Sequence, residues 1–298
     1  MSRIRAVMVV ATFVSIGCVD GPLPTEPASD LSPALTVVDA SGPQGLEGFH
    51  FRGPISDEPV PTDGLDASLL DLLSVEICEW NGTECVLPLV REITADLNAP
   101  ERIFVSDDGV YATVWSTRKD DLDPERIYRI RVLASGGLLG YVDVDVVEPG
   151  RNRRSSGGED HVHLVAGQSL SIGFVIEEGT GERAGSDGGV VELAGGQITL
   201  DLPAGALQGD VLLTATPTDD VPTGGPPIVP GTAWDFGPDG IEFDHPVFMT
   251  IPFDPADVPS GVDPNELRIH KVVNGEFVQQ NAGLVDLGNN TVSAQVDG

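Results

Sequence analysis

Along most of this chain apolar and polar residues alternate in short runs, and the runs are separated by clusters of Gly, Pro, Asn and Asp. A period of two is the signature of strands with one buried and one wet face. No stretch of about a dozen residues keeps apolar positions at the i, i+3, i+4, i+7 spacing of an amphipathic helix without a Gly or Pro. The pattern predicts an all-β protein. Strands are expected at Leu73 to Trp80, Cys85 to Ile93, Arg102 to Ser106, Val110 to Thr117 and Leu170 to Glu178. Beyond a Gly-rich break they resume at Val190 to Leu193, Ile198 to Leu202, Val211 to Thr216, around Ile241 and Phe243, and as a continuous apolar run at Val247 to Ile251.

The clearest pair is IYRIRVLASGGLLGYVDVDVV, in which Tyr128, Ile130 and Val132 alternate with Arg129 and Arg131, and Val142, Val144 and Val146 alternate with Asp143 and Asp145. A loop of Gly136, Gly137 and Leu138 sets apolar against apolar, with Val132 opposite Val142 and Ile130 opposite Val144. It also pairs Arg131 with Asp143 and Arg129 with Asp145 on the wet face. A second hairpin is expected in ICEWNGTECVL. A two-residue Asn81-Gly82 turn there places Cys78 directly opposite Cys85, within reach of a disulfide.

The runs divide the chain into a first sandwich at 34–178, a linker at 179–189 and a second sandwich at 190–298. The many short strands and the hairpin disulfide give the first domain an immunoglobulin-like architecture. Ahead of it lies a Pro-rich tether at 18–33, and 1–17 reads as an export signal. There Arg3 and Arg5 precede the apolar run Ala6 to Ile16, followed by Gly17 and Cys18. The run is too short to cross a hydrocarbon core that needs about 20 helical residues. VSIGC resembles the lipobox of bacterial lipoproteins, in which the Cys is diacylated, although Ser15 stands where Leu is usual. Simple secretion by ordinary signal peptidase is the alternative, but it leaves Cys18 as an odd, reactive thiol. The expected location is the outer membrane or cell surface, held by a lipid anchor.

Charge narrows the partners. The formal net charge is −31, and without Arg3 and Arg5 the chain has 14 basic against 47 acidic residues. That balance argues against nucleic acid, whose phosphates need clustered Lys and Arg. It leaves proteins or cell-surface components as expected partners, with the membrane contacted through the anchor alone. The basic stretch Arg151 to Arg154 is flanked by Ser and Gly and reads as a solvated loop.

Candidate chemistry is sparse. The chain has no G-x-S-x-G elbow, no H-E-x-x-H pair and no G-x-x-x-x-G-K phosphate loop. His161 and His163 share one strand face but lack an evident third metal ligand. Asp254, Asp257 and Asp263 in DPADVPSGVD are the weak Ca²⁺ candidates, and their spacing is not that of an EF-hand. Solvated turns are the simpler reading of these carboxylates, and neither an enzyme nor a cofactor is expected.

Three stretches, GGQITLDLPAGALQGDVLLTATP, FGPDGIEFDHPVFMTIPFDP and VDPNELRIHKVVNGEFV, together resemble the ZU-type domain of zonula occludens proteins, uncoordinated netrin receptors and ankyrins. The likeness spans about 188–298 and is nearest to bacterial surface versions. It implies a β-sandwich used for protein contacts without a cofactor. Some members of that family cleave themselves at a His-Phe-Ser-like motif, which is absent here. A precursor whose cleavage motif lies beyond Gly298 is therefore the alternative function, and a Ca²⁺-dependent adhesin a third.

Overall fold

A computed structural model describes residues 4–10, 37–42, 45–57, 60, 64–148 and 162–296. Strands account for nearly all of its regular structure, with a few single 3₁₀ turns and no α-helix among the described residues. In chain order the strands are β1 (Ile4–Val10), β2 (Val37–Val38), β3 (Phe49–Arg52), β4 (Leu73–Trp80), β5 (Cys85–Thr94), β6 (Phe104–Val105), β7 (Tyr111–Ser116), β8 (Ile127–Ala134), β9 (Gly137–Val147), β10 (Val162–Val165) and β11 (Ser169–Ile176). They continue as β12 (Glu182–Ala184), β13 (Gly189–Leu193), β14 (Ile198–Leu202), β15 (Val211–Pro217), β16 (Ile228–Gly237), β17 (Val247–Pro252), β18 (Leu267–Val273), β19 (Glu276–Gln279), β20 (Asn281–Asp286) and β21 (Thr291–Val296).

The first domain packs the sheet β10-β9-β8-β4-β5, with β2 also paired to β9, against the sheet β3-β11-β7-β6. Alternation decides what faces the core. Val75, Ile77, Ile130, Val132, Val142 and Val144 from one sheet meet Phe49, Phe51, Tyr111, Trp115, Ile172 and Phe174 from the other, and none of these twelve is measurably exposed. Tyr111 fixes the chain leading into β4, since its hydroxyl donates to the Asp66 carbonyl at 2.9 Å and accepts from the Leu69 N–H at 3.0 Å. Burial pushes its pKa up to about 12.

The β8–β9 hairpin keeps the expected faces but shifts the register by two residues. Its turn is Ser135-Gly136, both with positive φ (50° and 82°), closing Ala134 against Gly137. That is the primed two-residue turn whose twist suits a hairpin. A bulge then sits between Val132 and Leu133 in the pairing, so Ile130 lies opposite Val142, Val132 opposite Gly140, Arg129 opposite Asp143 and Arg131 opposite Tyr141. Arg129 therefore pairs with Asp143 rather than Asp145. Nor is this pair exposed, because Arg129 is only 8 % and Asp143 1 % accessible. Gly140 lies beside the bulge, where a Cβ would sit 2.4 Å from the Phe49 ring and 2.5 Å from the Val38 carbonyl, so only glycine lets β2 and β3 close over β9.

The Cys78–Cys85 disulfide forms with a Cα–Cα distance of 5.5 Å, but through a longer turn than expected. Cys85 lies opposite Trp80 rather than opposite Cys78, which falls in the register irregularity between Ile77 and Glu79. Asn81 does not enter a two-residue turn. Its Oδ1 accepts from the Thr83 and Glu84 N–H groups, both at 2.9 Å, which stabilises a four-residue loop instead.

The second domain stacks the sheet β12-β15-β16-β1-β18-β19 on the sheet β13-β14-β17-β21-β20 around Leu200, Val229, Trp234, Val247, Ile251, Leu267, Ile269 and Val292. Two expectations fail here. Ile241 and Phe243 are not in a strand, although both pack on the core. The Asp244 N–H bonds the Ala206 carbonyl at 3.0 Å, which ties this stretch to a loop rather than to a ladder. The run Val247 to Ile251 is buried on one face only, with Phe248 left 46 % exposed.

The two sandwiches are joined by β12, which lies inside the expected linker, and by β15. Leu212 completes the first core and its neighbour Leu213 the second. The β8–β9 turn docks at this seam, where the Leu212 N–H donates to Ser135 Oγ at 3.4 Å and Gly137 has no room for a side chain against Pro238. Arg183 bridges Asp71 and Asp210 across it at 2.8 and 2.6 Å. These contacts hold Asp71 below the ordinary carboxylate range.

Candidate interaction site

The second domain contains one irregular feature of topology. β16 and β18 run in the same direction, are not paired with each other, and have β1 between them, antiparallel to both. On its far side β16 pairs with β15, and on its far side β18 pairs with β19. Without β1 this sheet is therefore two separate ribbons, each with a naked edge of N–H and C=O groups.

The local sequence explains the walls of the slot. In β18 Leu267 and Ile269 point into the core, whereas Arg268, His270 and Val272 lie on the opposite face. In β16 Trp234 and Phe236 point inward, and Ala233 and Asp235 alternate with them. β16 was not anticipated because Pro230 and Gly231 interrupt its pattern, and sheet pairing overrides that interruption.

The register of the occupant follows from these walls. Ala6 lies between Trp234 and Lys271, Val7 between Ala233 and His270, and Arg5 between Asp235 and Val272, while Met8 sits opposite Ile269 and Val10 opposite Leu267. Positions 6, 8 and 10 thus share the register of the core-facing rows. The segment read as an export leader is, in the whole chain, a strand with neighbours on both sides. An apolar β-branched run satisfies both descriptions, since a central strand and a leader each require unbroken apolar character.

His270 is buried beside this slot at 6 % exposure, and neither ring nitrogen has a hydrogen-bond partner. Phe277 faces it edge-on at 6.3 Å. Burial lowers its pKa from 6.5, so the ring stays neutral in the fold. The unfolded chain then binds a proton that the folded chain refuses. Second-domain stability is expected to fall as pH drops through about 6.5, down to the lowered folded value. Thermal melts from pH 7.5 to 5 check this: His270→Leu should flatten the dependence, and an unchanged slope in that variant would contradict it.

The other candidate residues do not converge. Asp254 Oδ1 accepts from the Ala256 N–H at 2.8 Å, and Asp263 Oδ1 accepts from the Asn265 N–H and side-chain amide, both at 2.9 Å. The Asp257 N–H meanwhile bonds the Asp254 carbonyl. These are turn-forming roles, and they hold Asp263 below the usual carboxylate range. Among the described residues no three His, Cys, Asp or Glu side chains are grouped to hold a metal ion. His163 Nδ1 lies 3.4 Å from Asp145 Oδ2, whereas His161, Arg151 to Arg154 and Cys18 lie outside the described residues.

Two cavities bear on small-molecule binding. The apolar one inside the second core, between Leu200, Phe236, Phe243 and Met249, measures about 30 Å³, which is far below a small-molecule site of roughly 300 Å³ or more. The other, near 360 Å³, lies beside the edge strand β5. Of its three carboxylates Asp121 is exposed, while Glu79 pairs with Arg126, and Asp120 with Arg91 and the Trp115 Nε1–H. Neither offers an activated nucleophile.

Comparison with protein-family models and with curated proteins finds no match to this chain.

Proposed function

We propose that this protein is an exported, non-catalytic surface module, anchored by a lipid on Cys18, that makes structural or protein-binding contacts through its sandwiches. The observation that carries this reading is the coincidence at β1. The segment with the composition of an export leader is also an interior strand, and its loss would expose the facing edges of β16 and β18 for pairing. The strongly acidic composition supports solubility outside the cytoplasm and a protein partner in preference to nucleic acid. We assign the first sandwich to the immunoglobulin-like class and the second to the ZU type, on the strand patterns and motifs given above.

Mass spectrometry of the mature N-terminus tests the anchoring. A diacylglyceryl-modified Cys18 is expected, and Cys18→Ala should release the protein from membranes into the soluble fraction. An unmodified Cys18 on soluble wild-type protein would sink the lipoprotein reading.

A further inference from the structure

We propose that the slot between β16 and β18 is a strand acceptor: once the leader is removed on export, the second domain takes an extended apolar segment of a partner protein, antiparallel to both walls. This deepens the functional reading above and rests on it for the loss of residues 4–10. The occupant is specified by the walls. It needs about seven residues to span the pairing that β1 makes, from Phe236 to Ile228 on one side and from Val272 to Leu267 on the other. Its core-facing positions must be apolar. The position paired with Trp234 is held by Ala6, so a small residue suits it. On the other face a basic residue suits the position that Arg5 holds opposite Asp235. Neither wall can satisfy the other, since one strand width separates them. A single strand donated from outside satisfies both edges at once, whereas an ordinary edge-strand addition satisfies only one.

The test uses the whole chain, with a recognition site for a sequence-specific protease inserted after Asp20 and cut after folding. The released N-terminal piece should stay with the folded remainder through gel filtration, and excess fluorescent peptide of sequence Ser2 to Val10 should replace it saturably. The same peptide carrying Val7→Pro should bind about tenfold or more weakly, because a strand paired on both sides has no interior N–H to spare. A tightly held piece exchanges slowly, so the cut chain is also refolded from denaturant with the peptide in excess. Incorporation of label supports the acceptor, and refolding without label overturns it. A cut chain that dimerises and refuses the peptide assigns the slot to a second copy and likewise overturns the proposal. Mature protein that still carries residues 4–10 fails the export reading and with it the partner, whereas failed peptide incorporation fails the slot alone.

Discussion

Asp143→Ala is expected to destabilise the first domain by about 3–5 kcal/mol in denaturant unfolding. The carboxylate accepts Nε and Nη2 of Arg129 at 2.7 and 2.9 Å, a two-pronged pair that is almost wholly out of water. The guanidinium is stacked between two rings, 3.5 Å from Trp80 and 3.7 Å from Tyr141, so it cannot swing out to solvent without breaking the face of the sheet. Removing Asp143 leaves that charge buried and uncompensated, which costs more than the pair contributes when intact. The joint replacement Arg129→Met with Asp143→Leu should recover most of the loss. Equal losses in the single and the joint variant would show that packing, not charge, sets the effect.

Trp115→Ala is the other large loss, again about 3–5 kcal/mol and a drop of roughly 10 °C in Tm. Trp115 is fully buried on β7 opposite Leu170, packs 6.2 Å from the Tyr128 ring and donates its Nε1–H to Asp120 at 2.8 Å. Truncation opens a cavity between the two sheets and takes a donor from Asp120. Val114 gives the internal control. One residue earlier on the same strand it faces outward at 42 % exposure, and Val114→Ala should cost less than about 0.5 kcal/mol. Similar losses at both positions would mean that β7 is not the inner wall of the sandwich.

Much of this architecture is legible from alternation alone, because a period of two assigns faces without knowledge of partners. Leu73–Trp80 and Ile198–Leu202 have the bounds expected from the sequence, and Ile130, Val132, Val142 and Val144 all reach the core. Register is less legible, since it depends on turns and bulges. The β8–β9 turn places Ser135 and Gly136 at positive φ, and the space beside Gly140 is set by Phe49 and Val38, both distant in sequence. Alternation is equally silent on whether the second face is wet. Asp143, Asp145 and Arg129 read as exposed, yet all three are buried.

The candidate site was half visible. The apolar run after Arg5 has the composition expected of a leader, but nothing local indicates that β16 and β18 leave one strand width between them. That fact belongs to the sheet order, which puts β18 two places from β16 with β1 between. Strand β16 itself was hidden by Pro230 and Gly231. The disulfide was legible because Cys78 and Cys85 are close in sequence, so even a wrong turn length left their Cα atoms 5.5 Å apart.

Hydrogen–deuterium exchange along Ile228–Gly237 and Leu267–Val273 tests the strand acceptor most directly. In the whole chain the amides of both strands should be protected. In the processed protein those facing the slot should exchange fast, while those bonded to β15 and β19 stay slow, and added Ser2–Val10 peptide should restore protection to both walls together. Slot-facing amides that remain slow in the processed protein without any added strand would contradict the account, because β16 and β18 would then be closing on each other.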